Sequence, residues 1–563
     1  MNANDRKVRL GTILTLAAFV AVHSFCIRAP LFLMDDAQEF AFVNGLDSVW
    51  SLFGCDAFNL FRPVKNILFA AFSLLRVRDD LMFCRMLALA IGIASYFAVL
   101  GLMRRLFRRE APAVLATAIW LLAPTQVSSV AWLSAVNIQV MCIFAALALS
   151  AHLDDRPGRA ALLAFLAMVS YESAVALLPL FFALDLFLRR VRLKSVRGWL
   201  PLAIYAAAGV AYLGLRGAVG GAAQVNGSFS GTTRIDLVAA AAHFTLQHFS
   251  VWSFPFGHLA VAGSYRLGEV PCWGLALDWL LLASLALVAL LALNRRPLFG
   301  LGLAVGLVAF VPTSNLFGLG NGPWGDYYLG LSSMGFSLAL TDACLGLWSA
   351  RARCGRIAAA LAAIGLGSRL AAVPEAARWA AVWGDGLLAL AQTEVTFPKS
   401  YMATIMLAQK ACDLGCWELA LRSAAKAEAA AGPESDVPAT ADMIRGLVAL
   451  NGERNAEKAL ALLERSGRSP RIAPARRRMC LFYQGCVYED LLNDVQRAGR
   501  MYAAALEGKW TSDSVPAADR QARLLALSGD VRSAIRLWER ALSLDPASRS
   551  VAHNLKQARA QLE

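Results

Sequence analysis

The first 32 residues, MNANDRKVRLGTILTLAAFVAVHSFCIRAPLF (Met1–Phe32), decide the fold. A basic start followed by an apolar core fits either a cleaved export signal or a retained first membrane helix. No convincing small-x-small cleavage site follows, and apolar stretches recur through the next 350 residues. We therefore read 10–27 as a retained span with its basic end, Arg6, Lys7 and Arg9, in the cytoplasm. The whole composition agrees. The 563-residue chain is 58% hydrophobic and 17% charged, with a mean hydropathy of +0.52, a balance that no soluble domain of this size needs.

Working outward, ten further apolar stretches lie at 83–103, 112–124, 134–152, 160–171, 173–188, 198–215, 273–293, 298–314, 328–348 and 356–373. A helix of roughly 20 apolar residues spans a bilayer, and the shorter stretches suit helical hairpins. Arginine-rich loops mark alternate connections as cytoplasmic: RRLFRR from Arg104, DDRPGR from Asp154, RRVRLKSVR from Arg189, NRRP from Asn294 and RARCGR from Arg351. These loops account for much of the net charge of +14. The positive charge is thus directed at a lipid bilayer, not at nucleic acid, and no basic surface interleaved with aromatics stands out.

Two outer loops exceed a connector. The first, 28–81, carries IRAPLFLMDDAQEFAFVNG (Ile27–Gly45) and FNLFRPVKNILFAAFSLL (Phe58–Leu75). The latter is apolar but too short to cross upright, so we expect a helix lying at the interface. The second, 217–272, offers LVAAAAHFTLQHFSVWSFPF (Leu237–Phe256), read as juxtamembrane. A span there would invert everything downstream.

After about Pro374 the chain turns amphipathic and Ala-rich. In ARLLALSGDVRSAIRLWERALSLDP (Ala522–Pro546), Ala534 and Ala541 lie seven apart with Trp538 between them and Pro546 closing the helix. Small residues let paired helices approach and the large one fills the groove, which is the tetratricopeptide pattern. It recurs at Ala498, Tyr502 and Ala505, at Ala459, Leu463 and Ser466, and at Ala420, Ala424 and Ala427. We expect about four helix pairs and a capping helix. The expected fold class is all-α: a polytopic helical membrane domain over 1–374, a connector at 375–398, and a tetratricopeptide-repeat solenoid over 399–563.

Asp35 and Asp36 sit just outside the first span. They suit a cap or a solvated turn. They equally suit catalysis, since a carboxylate at a lipid–water boundary loses hydration and gains basicity, as a general base needs. Arg62, Lys65 and Arg216 lie on the same side. They are candidates for a lipid-borne phosphate, with snorkelling as the alternative. Three outer turns gather polar groups: PTQVSSVAWLSAVN from Pro124, VSYESAVALLP from Val169, and FVPTSNLFGLGNGPWGDYYLGLSSMGF from Phe310. Glu172 and Asp326 in these turns are acids in apolar surroundings. They are functional candidates or buried partners of an arginine. The 11 cysteines show no metal spacing. No HExxH, Walker loop or GxSxG elbow occurs in context. No dedicated metal site is expected and no cofactor is certain; a divalent cation is possible.

The ordered set "DDA", "FRPV", "SSVAWLSAVN", "SYESAVALLP", "FVPTSN" and "GDYYLGLSSMGF", followed by repeats, resembles the multispanning GT-C glycosyltransferases. The nearest likeness is to the transmembrane and tetratricopeptide repeat-containing O-mannosyltransferases and their bacterial relatives. The resemblance implies a polyprenyl-phosphate-linked sugar as donor, an outward-facing site and repeats on that face, holding a protein or glycan acceptor. It implies that Asp35 and Asp36 are the acidic pair, Arg62 the arginine of the RP motif, and Glu172 and Asp326 the acids of two further motifs. Tyr171 stands where the family has lysine and Tyr327 where it has arginine. The implied activity is inverting transfer to a hydroxyl in a bacterial inner membrane, with the repeats periplasmic. A non-catalytic repeat scaffold on a decayed GT-C-like domain is the alternative.

The span count and the arginine-rich loops predict that the repeats face away from the cytoplasm. Alkaline phosphatase fused at Lys399 or at the C-terminus should be active there. Activity of a cytoplasmic reporter instead would mean that Leu237–Phe256 crosses the membrane.

Overall fold

The computed structural model describes residues 3–27, 36–46, 48–57, 60–76, 81–187, 196–219, 234–254, 256, 271–314, 325–396, 400–431, 435–508, 510, 512–545 and 548–561. Asp35 lies outside them. The chain is all-α, with no strand among the described residues. The first half holds α1 (Ala3–Ser24), α2 (Asp36–Asn44), α3 (Pro63–Leu75), α4 (Met82–Phe107), α5 (Glu110–Leu121), α6 (Ser128–Ala131), α7 (Val136–Leu153), α8 (Pro157–Ser170), α9 (Leu177–Phe187), α10 (Val196–Ala218), α11 (Arg234–Ser253), α12 (Cys272–Arg295) and α13 (Pro297–Phe310). Proline opens α3, α8 and α13, where its missing N–H costs nothing and its φ suits the first turn.

Among the described residues, five helices are long and apolar enough to cross a bilayer alone: Asp5–Ser24, Met82–Phe107, Leu133–Leu153, Trp199–Ala218 and Cys272–Arg295. The last of these exposes Leu280, Leu281, Leu287, Leu290 and Leu291. Among the described residues that apolar face has no covering partner, and it is suited to lipid. The stretch 112–124, expected as one span, is the first limb of a broken helix. Glu110–Leu121 and Pro124–Ala131 meet at 64°, because Pro124 cannot donate the hydrogen bond that would continue α5.

α14 (Ser332–Trp383) is helical throughout its 52 residues. A straight helix of that length would run about 78 Å. It instead folds back between Cys344 and Gly365: a Cβ at Gly365 would lie 3.1 Å from Cys344 Sγ and 3.6 Å from Leu340. The expected stretches 328–348 and 356–373 are its two limbs. Both ends of α14 consequently reach the same face. Its first limb packs on α13 backbone to backbone, since a Cβ at Gly302 would meet Ala339 N and Gly335 O at 2.6 Å. This is the small-residue crossing of membrane helices.

The two faces of the bundle are chemically distinct. On one, Arg105 pairs with both oxygens of Asp154 at 3.0 Å and Arg104 reaches Glu110 at 2.8 Å, joining the ends of α4, α5 and α7. On the other, α11 packs on α12 and reaches the ends of α13 and α14. His243 meets Asp278 at 2.7 Å at the start of α12, Phe249 packs on Phe310 at the end of α13, and Trp252 packs on Phe336 early in α14.

Beyond α14, α15 (Gly386–Thr396) leads into hairpins of α16 (Tyr401–Asp413) with α17 (Trp417–Ala430), α18 (Val437–Leu447) with α19 (Ala456–Arg468), α20 (Pro474–Asp490) with α21 (Val495–Ala505), and α22 (Val515–Leu527) with α23 (Val531–Leu544). α24 (Arg549–Ala560) caps the array. Ala420, Ala459, Ala498 and Ala534 are fully buried at the four hairpin cores. The array returns to the membrane domain: Arg76 Nη1 lies 3.6 Å from Asp545, and a Cβ at Gly45 would lie 3.0 Å from Leu544. Arg76 also covers the Phe40 ring of α2 at 5.2 Å. Asp545→Arg should therefore raise amide exchange across Phe40–Asn44, while Asp545→Glu should not. Equal exchange in the two variants would dismiss the contact.

Candidate active site

Segments far apart in sequence meet on the face where both limbs of α14 end. Asp36, in the first turn of α2, is fully buried. Among the described residues, both donors to its Oδ1 come from Ser134, the N–H at 2.9 Å and the hydroxyl at 2.7 Å, and none from its own helix. The carboxylate is therefore not serving as a helix cap. Oδ2 is buried with no hydrogen-bond partner among the described residues. Burial pushes this carboxyl above its ordinary value, while Ser134 and the nearby Arg85 and Lys65 oppose the rise. Arg85 projects from α4 and donates to the Ala131 carbonyl, so it is fixed beneath the α6–Trp132 turn.

The candidate cations differ in their surroundings. Arg62 donates from Nε to Glu172 Oε2 at 2.7 Å and from Nη2 to Oε1, and its guanidinium lies 4.4 Å from the centre of the Tyr171 ring. The sequence directs this fork at a donor phosphate; in the structure it closes on Glu172. Lys65 Nζ lies 2.5 Å from Glu39 and 3.4 Å from Asp56, all three buried. Asn66 holds the loop bearing Asp56 through the Leu52 carbonyl at 3.0 Å. Arg216, at the end of α10, is only half-buried and faces the Tyr212 hydroxyl and Cys55.

Asp326 completes the cluster. Its Oδ1 accepts the Tyr327 N–H at 2.9 Å, and its Oδ2 is buried without a hydrogen-bond partner among the described residues. Burial raises its pKa to about 7, against the Ser128 hydroxyl and two backbone N–H groups. Tyr327 meets Trp132 edge-on at 5.5 Å, and Trp132 stacks on Trp383 at 5.9 Å. His248 lies behind: its Nε2 accepts the Gly325 N–H at 3.3 Å, which leaves Nδ1–H to donate to Phe244 O at 2.7 Å. That imidazole is neutral, with burial lowering its pKa to about 4. Beneath the turns, Gln126, Gln139, Ser129, Ser95 and Ser333 form one buried hydrogen-bond network joining α4, α6, α7 and α14.

Sequence reasoning singled out none of Glu39, Asp56, Arg85 and Ser134, and it set His248 aside because, five residues from His243, the two would not aim at one metal. Arg85 carried a usable signal, since a lone charge inside an apolar span seeks a partner. Asp56 and Ser134 carried none, because their roles depend on partners supplied by packing. Among the described residues, no three His, Cys, Asp or Glu are arranged to hold a metal ion. Glu39 and Asp56, the acids nearest to such a role, are turned on Lys65.

The raised pKa of Asp326 predicts a pH effect. A carboxyl that holds its proton more tightly when folded loses stability as pH rises from its unfolded value near 4 through about 7. The slope is at most about 1.4 kcal/mol per pH unit. Asp326→Asn should therefore raise the melting temperature of the detergent-solubilised chain at pH 8 relative to wild type and leave it little changed at pH 4. An equal shift at both pH values would refute burial of an ionisable Asp326.

No family model matches the chain, and no curated protein matches it. Among solved structures, it is similar to a tetratricopeptide-repeat protein of Thermus thermophilus, at 23% identity and a TM-score of 0.25, over 35% of this chain and 96% of the other. It is also similar to the Archaeoglobus fulgidus oligosaccharyltransferase solved with a tethered acceptor peptide, at 14% identity and a TM-score of 0.33. That match covers 73% of this chain but only 58% of the archaeal enzyme. Superpositions this loose have no bearing on chemistry, which rests on the site itself.

Proposed function

We propose that the chain is a multi-pass membrane glycosyltransferase that moves a sugar from a polyprenyl-phosphate-linked donor to a hydroxyl acceptor on the non-cytoplasmic face. The observation that carries the reading is Asp36: one oxygen is held by Ser134 and the other is left bare, in a buried site on the face that receives the repeats. A fixed carboxylate of raised basicity can take the acceptor proton while the hydroxyl attacks the anomeric carbon from the side opposite the phosphate, giving inversion. Asp35 would position substrate beside it. Arg216, the most exposed of the three candidate cations, is best placed to meet the donor phosphate. Arg62 and Lys65 would complete its positive surroundings from within, with Glu172 and Asp326 as supports. The transferase part would be 1–374, joined through 375–398 to repeats at 399–563 that hold a protein or glycan acceptor. In a bacterial inner membrane the repeats would be periplasmic.

One observation favours the scaffold alternative. Arg62 and Lys65 are both closed on carboxylates, so neither presents a bare charge to a phosphate. The two readings separate in a strain lacking the chain. Intact-mass glycoproteomics together with surface-glycan analysis should reveal a molecule that has lost a sugar, and wild type should restore it. Asp36→Asn changes almost no volume and should slow transfer by at least about 100-fold, the scale of general-base catalysis. Asp35→Asn should act more mildly and on substrate binding. If Asp36→Asn restores the sugar fully, Asp36 is not the base. If the deletion changes no glycan, the scaffold reading stands.

A further inference from the structure

Away from the carboxylates, a second charged site lies between α5 and the returning limb of α14. Along that limb Ile357, Leu361, Ile364 and Leu370 are exposed, and the ion pair of Glu375 with Arg378 follows them. An exposed apolar run that gives way to charge marks where a helix leaves hydrocarbon for water. Arg369 sits at that boundary, toward the face that carries Asp36, and is only 9% exposed. Its Nη1 donates to the Trp252 carbonyl at 2.7 Å, its Nη2 to the Ser253 carbonyl and its Nε to Ser368 Oγ at 3.4 Å. These contacts hold the guanidinium over the Trp252 ring, 4.9 Å from its centre. Both carbonyls belong to the end of α11, whose dipole offsets only about half a charge. Among the described residues no carboxylate pairs with Arg369, and one N–H on each Nη remains without an acceptor. The indole that it covers is incomplete too: Trp252 Nε1 is buried and has no hydrogen-bond partner among the described residues.

A groove of about 200 Å³ opens at the same point. Leu115 and Ile119 of α5, with Leu122 just beyond it, form one wall, and Leu366 and Val373 form the other. Arg369 alone is polar among the described residues that line it. Apolar walls that end at a positive charge match a molecule with a hydrocarbon chain and an anionic head. We infer that this groove holds a membrane phospholipid, with one acyl chain between α5 and α14 and its phosphodiester on Arg369, beside Trp252 Nε1. The phosphate supplies the counter-charge that the described residues do not, and it offsets the desolvation of a buried guanidinium. The sugar donor is not the occupant. Trp383, which borders the Asp36 site through Trp132, lies fourteen residues along α14 from Arg369, a helical rise of about 21 Å. A donor phosphate seated on Arg369 would hold its sugar far from the carboxylate. The phospholipid instead ties α5, α11 and α14 together beside the break after Leu121.

This lipid site goes beyond the glycosyl-transfer reading and does not depend on it. Its test reads lipid alone, so its failure would leave that reading untouched. The full chain in detergent is delipidated, titrated with phosphatidylglycerol and followed by native mass spectrometry and melting temperature. Wild type should keep one phosphatidylglycerol per chain through detergent exchange and melt higher with it. Inorganic phosphate at the same concentration should give no such rise. Arg369→Gln should weaken lipid binding at least about tenfold, the scale of a hydrogen bond to a charged group. Ala118→Phe keeps the charge, fills the groove that Ala118 helps to line, and should weaken binding as much. Arg369 also holds the end of α11; if Arg369→Gln does not fold, Ala118→Phe decides alone, and a folded chain that has lost the lipid supports the inference. Full retention in either folded variant would overturn it. So would a wild type that keeps no phospholipid, one stabilised equally by inorganic phosphate, or one whose bound lipid has the mass of a polyprenyl phosphate and is lost in Ala118→Phe.

Discussion

The buried pair of Arg62 and Glu172 is the constraint on which the rest of the site depends. It joins residues 110 apart in sequence, closes both ends of a guanidinium fork, and lays the cation against the Tyr171 ring. Removing one partner of such a pair costs about 3–5 kcal/mol, because the other charge stays buried. Arg62 is also the residue that precedes the first turn of α3. Fixing it therefore fixes where α3 begins, and with it the direction of Lys65 and Asn66 in the turn that follows. Lys65 then closes on Glu39 of α2, and Asn66 holds the loop that brings Asp56 over it. One ion pair thus orients the acid-bearing outer loop against the turn between α8 and α9.

The repeats were legible from sequence because their signal is local. A small residue recurs in each second helix, and Ala420, Ala459, Ala498 and Ala534 are each fully buried where the spacing puts them. The reversal in α14 was legible from hydropathy and the RARCGR charges, even though the backbone is helical on both sides of the turn. The break after Leu121 was half legible: Pro124 signals an end, but nothing local says that the chain bends by 64° and continues as a helix. The partners of the charges were legible only in part: Glu172 could be read as the buried partner of an arginine, but nothing local named Arg62. Arg62 has the residue type and position of a phosphate fork, and only the packing of α3 against the α8–α9 turn turns it onto Glu172. Asp36 likewise has the position of a helix cap, and only the placement of α6 and α7 supplies Ser134. Hydropathy and periodicity report what one segment does; an ion pair depends on two segments and on the core between them.

The end of α14 that leads towards the repeats and the far end of the repeats both reach the neighbourhood of the site. The chain leaves the bundle at Trp383, which stacks on Trp132, two residues before the Ser134 that holds Asp36. It comes back at Asp545, which meets Arg76, the residue that covers Phe40 one turn after Asp36. Each connection to the carboxylate is a short chain of packed or hydrogen-bonded side chains. The covalent lead-in from α14 and the contact at Asp545 together restrict how the repeats can swing relative to the acid. An acceptor held by these repeats, as proposed, would thus be presented to Asp36 in a restricted geometry. Orientation of this kind lowers a barrier without new chemistry, because the freedom that the two reactants lose is already lost on binding. The turn that carries Trp132 is tied to α4, α7 and α14 through the polar network of Gln126, Gln139 and Ser333. A joint that bears an aromatic stack on one side and a buried carboxylate on the other needs a base with few alternative packings, and a satisfied buried network supplies one.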